Sequence, residues 1–287
     1  MTYLSLCRCS WSKQMIHLQA TTARKILDSM EAGTAEIEIS LDLGLTTQRV
    51  VLSQQNWDLD DLRKISENTD SVYFITEDGT FEAAIRGRHF YKLHSTGESS
   101  PPALLIDGVL MHRVKDVSPV EDAEMKARLC ARRGADLLEV CTGLGYSTIA
   151  CLDMGVRSIV TIERDHEVID LARVNPWSKR LFTDERVRLI DGDAVEKVQS
   201  FEGSMFDSIL HDPPRFSMSP ELYTAEFYSQ LWRVMRPKGI LYHYVGTPGA
   251  KHGRRDMQKG IMTRLRVAGF RDVSRDEGSL GVTARRA

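Results

Sequence analysis

The chain has 287 residues, of which 42% are hydrophobic and 27% are charged, so a globular protein of one large domain or two ordinary ones is expected. The net charge of −2 gives no global attraction to nucleic acid or membranes. No apolar run approaches the roughly 20 residues of a membrane-spanning helix. The five cysteines lack the spaced pairs of a zinc site. We therefore expect no metal, no membrane partner and a cytoplasmic location.

The first 116 residues predict a short leader followed by a strand-rich module. Residues 1–18 show no firm pattern and are assigned to a flexible leader. The remainder, 19–116, predicts an α+β module. Its predicted helices are 21–30 and 59–66. Its predicted strands are 35–43, 48–53, 71–76, 80–93 (with a bend at Gly87) and 103–114. The second strand is expected to form a hairpin with the first, and the turn Glu77-Asp78-Gly79 to join the third and fourth.

From about Val120 the pattern changes to alternating strands and helices. A helix is predicted over 121–133, and the runs that follow are 137–141, 146–154, 158–162, 165–174, 187–190, 207–212, 221–235 and 239–245. Such alternation predicts a parallel sheet flanked by helices. The runs 270–274 and 280–284 predict a terminal hairpin that gives the sheet an antiparallel edge strand. Residues 117–287 thus predict a doubly wound, Rossmann-like α/β domain.

A glycine-bearing turn follows the first strand of that sheet. The apolar run that ends at Val140 leads into Thr142-Gly143-Leu144-Gly145, and a helical pattern begins at about Tyr146. Glycines let the backbone approach a ligand, and the free N–H groups of a helix start attract electron-rich groups. The next apolar run ends in Glu163, whose carboxylate can accept hydrogen bonds from both hydroxyls of a ribose. We therefore expect an adenosine-containing cofactor; the alternatives are a turn without a ligand and a solvated strand end.

The spacing of the glycines distinguishes between cofactor classes. Thr148 stands where a dinucleotide fingerprint has its third glycine, which disfavours NAD. The frame Glu139-Val-Cys141-Thr-Gly143-Leu-Gly145 resembles the class I methyltransferases, which usually have glycine at the position of Cys141. The resemblance covers roughly residues 135–245 and implies S-adenosylmethionine as cofactor. The residues that it implies for binding are Glu139, Thr142, Gly143, Gly145, Tyr146, Ser147, Glu163, Arg164, Asp193, Ala194 and Asp212.

Within this resemblance, three regions have separate roles. Glu163 would hold the ribose, and residues 143–147 would hold the amino-acid portion. The acid that matches Asp193, in Asp191-Gly-Asp193-Ala194, lies beside the adenine in the resembled family. A short acid after glycine also fits an ordinary turn.

The segment His211-Asp212-Pro213-Pro214-Arg215-Phe216 follows the fourth predicted strand. Two prolines fix the backbone and remove two N–H donors, so that a carbonyl can point into the site unpaired. Asp212 can orient or deprotonate an amine. The motif resembles Asp-Pro-Pro-aromatic enzymes that methylate amino groups, although here Arg215 precedes the aromatic residue, a variant similar to some ribosomal RNA methyltransferases. We expect Asp212, Pro213, Pro214 and Arg215 to form the catalytic site; the alternative is a rigid turn in which Asp212 is a cap.

A second resemblance is to the spermidine and spermine synthases. It rests on Leu105-Ile-Asp-Gly-Val109, a β-hairpin before the core, and on the segment from Ser219 to Tyr228. Those enzymes share the fold, carry a small N-terminal β domain and transfer aminopropyl from decarboxylated S-adenosylmethionine, with a catalytic acid that matches Asp212. Their acidic cluster is reduced here to Asp212 followed by Pro-Pro-Arg, and a cation at Arg215 would repel an amine.

We therefore expect an S-adenosylmethionine-dependent methyltransferase whose acceptor is RNA, a protein or a small molecule, and we rank an aminopropyltransferase second. A third alternative is a binding module that has kept the pocket without catalysis. The N-terminal module would select the acceptor or build a homodimer.

Overall fold

The computed structural model describes residues 15–246 and 254–287. The strands are β1 (Ile16–Leu18), β2 (Glu36–Ile39), β3 (Gln48–Val51), β4 (Tyr73–Thr76), β5 (Gly79–Glu82), β6 (Ala84–Arg86), β7 (Phe90–His94), β8 (Ala103–Ile106), β9 (Val109–Leu110), β10 (Asp136–Val140), β11 (Ser158–Glu163), β12 (Val187–Asp191), β13 (Phe206–His211), β14 (Met235–Tyr244), β15 (Phe270–Asp276) and β16 (Gly281–Arg286). The α-helices are α1 (Ala20–Glu31), α2 (Leu59–Glu67), α3 (Pro119–Cys130), α4 (Tyr146–Asp153), α5 (His166–Val174), α6 (Lys179–Thr183), α7 (Ala194–Ser200), α8 (Ala225–Val234) and α9 (Arg254–Val267).

The chain divides into two compact units. The first contains the described residues up to Pro119 together with Glu167–Lys179, and the second contains Val120–His166 and Arg180–Ala287. Across the described ranges, no helix combines the length and the apolar character that crossing a membrane requires.

The first unit contains three small antiparallel sheets, with the strand orders β1-β4-β5, β2-β3 and β6-β7-β8-β9. The two predicted hairpins, β2-β3 and β4-β5, are confirmed. Ile16–Leu18 were assigned to the leader but form β1, which pairs with β4; the rest of that leader, up to residue 14, lies outside the described residues. The predicted strand 80–93 is three strands, β5, β6 and β7. The Gly87 N–H donates to His89 O at 3.0 Å and closes the turn between β6 and β7.

The second unit is built on one seven-stranded sheet with the order β12-β11-β10-β13-β14-β16-β15. The five strands from β12 to β14 are parallel, and β16 is antiparallel to both of its neighbours. The predicted Rossmann-like α/β fold is confirmed. The terminal hairpin is also present, but the prediction of an antiparallel edge strand was wrong in position. The antiparallel strand is β16, which inserts between β14 and β15, and the edge strand β15 runs in the same direction as β14.

The order of the strands creates a switch point at β10. The chain adds β11 and β12 on one side of β10 and then crosses to place β13 on the other. Open α/β sheets bind ligands at such a point, outside the carboxyl ends of the strands. Val140 is in register with Ile162 and with His211, and Glu163 with Asp191. The residues that follow β10, β11, β12 and β13 therefore share this edge.

The central strands are buried because helices cover a parallel sheet on both faces. Leu137, Leu138, Val140, Ile159 and Ile209 are all at most 1% exposed. Such a run of apolar residues, rather than an alternating one, is typical of strands with two covered faces. The core fixes the backbone from which the polar edge residues project.

An ion-pair network lies at the opposite ends of these strands, where β10, β11, β13 and β14 begin. The Asp136 carboxylate, at the start of β10, accepts hydrogen bonds from Arg157, from Ser158 Oγ at 2.7 Å and from Arg236 at 3.1 Å. Arg236 also donates to Asp207 at 2.7 Å, and Asp207 accepts the backbone N–H of Asp136 at 2.9 Å. The Arg157 hydrogen bond is the main reason why the pKa of Asp136 lies well below its usual value. The network ties the starts of β10, β11, β13 and β14 together.

Candidate active site

The turn after β10 contains three residues in the left-handed region. Cys141, Gly143 and Gly145 have φ angles of 70°, 56° and 77°. The Cys141 N–H donates to Ile162 O at 3.0 Å, so the end of β11 holds the turn. A Cβ on Gly145 would lie 2.8 Å from the Leu181 side chain, which explains the need for glycine there. Cys141 adopts the conformation of the glycine that it replaces, at a cost in backbone strain.

Glu139 lies beneath this turn and is fully buried. Its Oε2 accepts hydrogen bonds from the hydroxyls of Thr148 and, at 2.7 Å, of Thr161. Its Oε1 has no partner among the described residues. Burial raises the pKa of the carboxyl to about 7, although the two hydroxyls oppose the shift. Glu139 therefore ties the turn to α4 and β11 through its Oε2.

Glu163, at the end of β11, contacts the same turn. Its Oε2 accepts the Gly143 N–H at 2.9 Å, and its Oε1 accepts the N–H groups of Arg164 at 2.9 Å and Asp165 at 3.1 Å. Burial raises the pKa of this carboxyl, and the hydrogen bonds from Asp165 and Gly143 partly offset the rise. Backbone N–H groups, including that of Gly143 in the glycine turn, therefore orient Glu163, the residue expected to hold the ribose.

Arg164 and Asp193 lie on either side of Glu163 along this edge. The Arg164 guanidinium is within 3.5 Å of Asp165 and 3.4 Å of Glu221, in the turn Pro220–Tyr223 that precedes α8. Asp193 caps α7, because its Oδ1 accepts the Val195 N–H at 2.8 Å. This hydrogen bond fits the turn interpretation of Asp193, and the role of Asp193 towards an adenine stays a prediction.

The other predicted binding residues lie at or next to helix starts. Tyr146 and Ser147 open α4 and are buried, and Ala194 opens α7 and is also buried. Thr142 Oγ1 lies 2.6 Å from Thr161 Oγ1, which makes Thr142 part of the hydroxyl network above Glu139.

Asp212 comes directly after β13. Its N–H donates to Val140 O at 3.1 Å, which fixes it beside the glycine turn. Its Oδ2 lies 2.7 Å from Nζ of Lys126, on α3, and this Nζ lies 2.8 Å from Oδ2 of Asp122. Burial raises the pKa of Asp212, Lys126 lowers it and Asp122 raises it, and the net direction is upward. The expected catalytic acid is therefore one member of a buried ion triad.

Lys126 was not predicted as a site residue. Burial lowers the pKa of its ammonium, but the carboxylates of Asp212 and Asp122 raise it further, so that the net pKa lies above the usual value. The only signal in the sequence is the spacing of Asp122 and Lys126, four residues apart on a helix. That spacing is common on solvated helix faces, and nothing in it indicates burial.

The Pro213-Pro214-Arg215 segment differs from the expectation in two details. The Pro214 carbonyl is not unpaired, because it accepts the Tyr223 hydroxyl at 2.7 Å. The Arg215 side chain is exposed, and Phe216, 43% exposed, packs edge-on against Tyr223 with ring centroids 5.4 Å apart. In the described structure Lys126, rather than Arg215, pairs with Asp212.

Two histidines lie close to Asp212, one at the end of β13 and one near the end of β14. His211 and His243 are fully buried, and their ring centroids are 4.3 Å apart. His211 Nε2 lies 2.9 Å from Leu222 O, and His243 Nε2 lies 2.9 Å from the Tyr228 hydroxyl. Burial lowers the pKa of His211 to about 4 and lowers that of His243 well below its usual value. Both are therefore neutral packing residues near pH 7.

Taken together, the carboxyl edge of the sheet presents a turn with a buried acid, a strand-end acid and an ion triad. Among the residues that the structure describes, no group of three or more histidine, cysteine or acidic side chains could hold a metal. The carboxylates and backbone N–H groups at this edge can form hydrogen bonds and ion pairs with a polar ligand.

Comparison with known proteins places these features in a family. The chain is 38% identical over 282 residues to the uncharacterized protein MJ1233 of Methanocaldococcus jannaschii, across 94% of this chain and 95% of that protein. The chain belongs to the family of MJ1233. Residues 134–253 also match the model of the spermine/spermidine synthase domain. This matched range includes the glycine turn, Glu163, Asp193 and Asp212.

Polyamine aminopropyltransferases are the other main group of relatives. Polyamine aminopropyltransferase 2 of Streptomyces coelicolor is 33% identical over 172 residues, which are 55% of this chain and 30% of that enzyme. The chain thus spans about a third of its length. A crystal structure of spermidine synthase in complex with the transition state analogue AdoDATO superposes with a TM-score of 0.59 at 18% identity, over 71% of this chain and 73% of that one. That likeness shows the shared fold.

These findings correct our main functional expectation. The prediction of an S-adenosylmethionine-dependent methyltransferase was wrong, and the resemblance to spermidine and spermine synthases, which we ranked second, is supported. The prediction that the cofactor is S-adenosylmethionine was wrong for the same reason. The physical reason is that the two donors share the adenosyl group and differ in one carboxylate, so residues that hold ribose and adenine do not distinguish them. An RNA acceptor and a homodimer stay predictions.

Proposed function

We propose that this protein is an aminopropyltransferase that uses decarboxylated S-adenosylmethionine as donor and an amine as acceptor. The observation that carries the proposal is the match of residues 134–253 to the spermine/spermidine synthase domain. It is supported by the position of Asp212, an acid at the switch-point edge of the sheet beside the glycine turn.

In this proposal the donor binds at the carboxyl ends of the neighbouring strands β12, β11, β10 and β13. Glu163 would hold the ribose hydroxyls, Asp193 the adenine side, and residues 143–147 the chain that carries the aminopropyl group. The free Oε1 of Glu139 supports a donor nearby, because a buried acceptor atom without a partner is costly unless a ligand satisfies it.

Asp212 would act on the acceptor amine. The amine nitrogen attacks the propyl carbon bonded to the sulfonium sulfur, the new C–N bond forms as the C–S bond breaks, and the electron pair goes to sulfur. Methylthioadenosine then leaves as a neutral thioether. The nitrogen loses one proton, for which the Asp212 carboxylate is the nearby acceptor. Transfer of this kind depends mainly on aligning nitrogen, carbon and sulfur.

A transfer assay tests the proposal. The purified chain is incubated with decarboxylated S-adenosylmethionine and a panel of amines, and methylthioadenosine release is measured by chromatography. We expect release that depends on the amine, and tighter binding of decarboxylated S-adenosylmethionine than of S-adenosylmethionine by calorimetry.

The matched variants are Asp212→Asn and Asp272→Asn. The first should lower kcat by about 100-fold or more, the usual scale for loss of a general base. The second makes the same chemical change at an exposed position on β15 and should leave kcat unchanged. Equal activity of Asp212→Asn and the unsubstituted chain, or binding of neither donor, would exclude this function.

A further inference from the structure

The Lys126 ammonium occupies a site with the chemistry of an amine-binding pocket. Its Nζ lies 2.8 Å from Asp122 and 2.7 Å from Asp212, and 4.4 Å from the centroid of the Tyr244 ring. The side chain is only 7% exposed. Carboxylates on one side and an aromatic face on the other are the groups that bind organic ammonium ions. Here the chain supplies the ammonium itself.

The three groups of the triad, taken by themselves, are two carboxylates and one ammonium, which sum to a net charge of −1 when all are ionised. The carboxylate that a further cation can approach is that of Asp212. The Asp212 side chain is 21% exposed, and its Oδ2 pairs with the Lys126 ammonium. Among the described residues, no hydrogen bond to Oδ1 is present, so Oδ1 is the atom that an acceptor amine can reach.

Three of the other acids at this edge are already engaged. Glu163 accepts three backbone N–H groups, Asp193 caps α7, and Glu221 pairs with Arg164. A second ammonium on the acceptor would therefore meet uncompensated positive charge.

We propose that Lys126 occupies the second cation position of the acceptor site and thereby makes the acceptor an amine without a second ammonium group. The inference rests on the proposed aminopropyl transfer and specifies its substrate class. The acceptor brings one ammonium group to Asp212, gives one proton to the Asp212 carboxylate so that the nitrogen lone pair can attack the propyl carbon, and carries a neutral or anionic group at its other end. Lys126 is then a specificity-determining residue.

Three four-carbon amines separate this class from a diamine. With decarboxylated S-adenosylmethionine as donor, kcat/KM is measured for butylamine, 4-aminobutanoate and 1,4-diaminobutane. We expect at least one of the first two to exceed the diamine by about tenfold or more, because like charges at close range repel. A wild-type preference for 1,4-diaminobutane would overturn the proposal, and this comparison needs no variant.

Two substitutions in the triad should act in opposite directions. Lys126→Met removes one positive charge, which lowers the net charge of the triad from −1 to −2, and should shift the ratio of kcat/KM values towards the diamine by about tenfold. Asp122→Asn makes the site neutral, keeps Lys126, and should disfavour the diamine further. Lys259→Met, at an exposed lysine on α9, should keep the wild-type ratio. A ratio that Lys126→Met leaves unchanged, or that both triad variants move in the same direction, would overturn the proposal.

A binding measurement separates this inference from the proposed function. Calorimetry of 1,4-diaminobutane should show tighter binding to Lys126→Met than to the wild type, whether or not transfer occurs. Absence of methylthioadenosine release with every amine would count against aminopropyl transfer alone. Equal diamine binding by the two proteins would count against the role of Lys126 alone.

Discussion

Replacing Glu139 by glutamine should change how the stability of this protein depends on pH. Glu139 is fully buried, two threonine hydroxyls donate to its Oε2, and burial raises its pKa from 4.5 to about 7. A carboxyl whose pKa is raised in the folded state destabilises that state once it ionises. The penalty is absent below pH 4.5, grows between pH 4.5 and 7, and is complete above pH 7.

The size of the effect follows from the shift. At about 1.4 kcal/mol per pH unit, the change from 4.5 to about 7 corresponds to about 3 kcal/mol of unfolding free energy. Glutamine has the same shape, can accept both hydroxyl hydrogen bonds and does not ionise. Glu139→Gln should therefore match the wild type at pH 4.5 and exceed it by about 3 kcal/mol at pH 8.

Urea denaturation at pH 4.5, 6 and 8 measures this difference. Asp212 and Glu163 also have raised pKa values and contribute to the wild-type slope, so the quantity compared is the difference between the variant and the wild type at each pH. Glu226→Gln, at an exposed position on α8, should follow the wild type throughout. A Glu139→Gln variant that is less stable at pH 8, or that keeps the wild-type slope, would refute this account of the buried carboxyl.

Three further substitutions test the network and the turn. Asp136→Asn removes the charge that pairs with Arg157 and should lower the free energy of unfolding by about 1.5–3 kcal/mol at pH 7. Because the pKa of Asp136 is depressed, the difference in unfolding free energy between the wild type and this variant should shrink below about pH 4. Urea denaturation at pH 7 and pH 3 measures that difference. Cys141→Val places a β-branched residue at φ 70° and should cost about 1–2 kcal/mol more than Cys141→Gly, as judged from their melting temperatures. Gly145→Ala should lower donor binding in calorimetry, because its Cβ would lie 2.8 Å from Leu181; unchanged affinity would mean that the turn adapts.

Sequence patterns located most of the second unit. Buried parallel strands give continuous apolar runs, and the turns between them are marked by glycine and acids. The five strands from β10 to β14 and the helices α4, α5 and α8 were therefore predicted within a few residues at their ends, whereas the short helices α6 and α7 were not predicted. The first unit was less predictable. Its strands are short. The bend predicted at Gly87 proved to be a full turn between β6 and β7, and β1 is defined by its pairing with β4.

The reaction class was not decided by local motifs. Glu139, the glycine turn, Glu163 and Asp193 indicate an adenosine-type ligand, and that part of a donor is common to methyl and aminopropyl transfer. Arg215, adjacent in sequence to the Asp-Pro-Pro motif, was weighed against an amine, yet its side chain is exposed. Similarity along most of the matched domain, rather than any single residue, corrected the interpretation.

By itself, the sequence determined the α/β fold of the second unit, the glycine turn after β10 and the acid at the end of β13, because hydrophobic periodicity and turn chemistry are local. Only the tertiary structure decided that the Asp212 carboxylate pairs with Lys126. These residues are 86 positions apart, and α3 and β13 must pack before the ammonium reaches the acid. Burial makes this ion pair energetically important, because a charge removed from water needs a partner. The same lysine on a solvated helix face would be paired with water and would not fix the charge at Asp212.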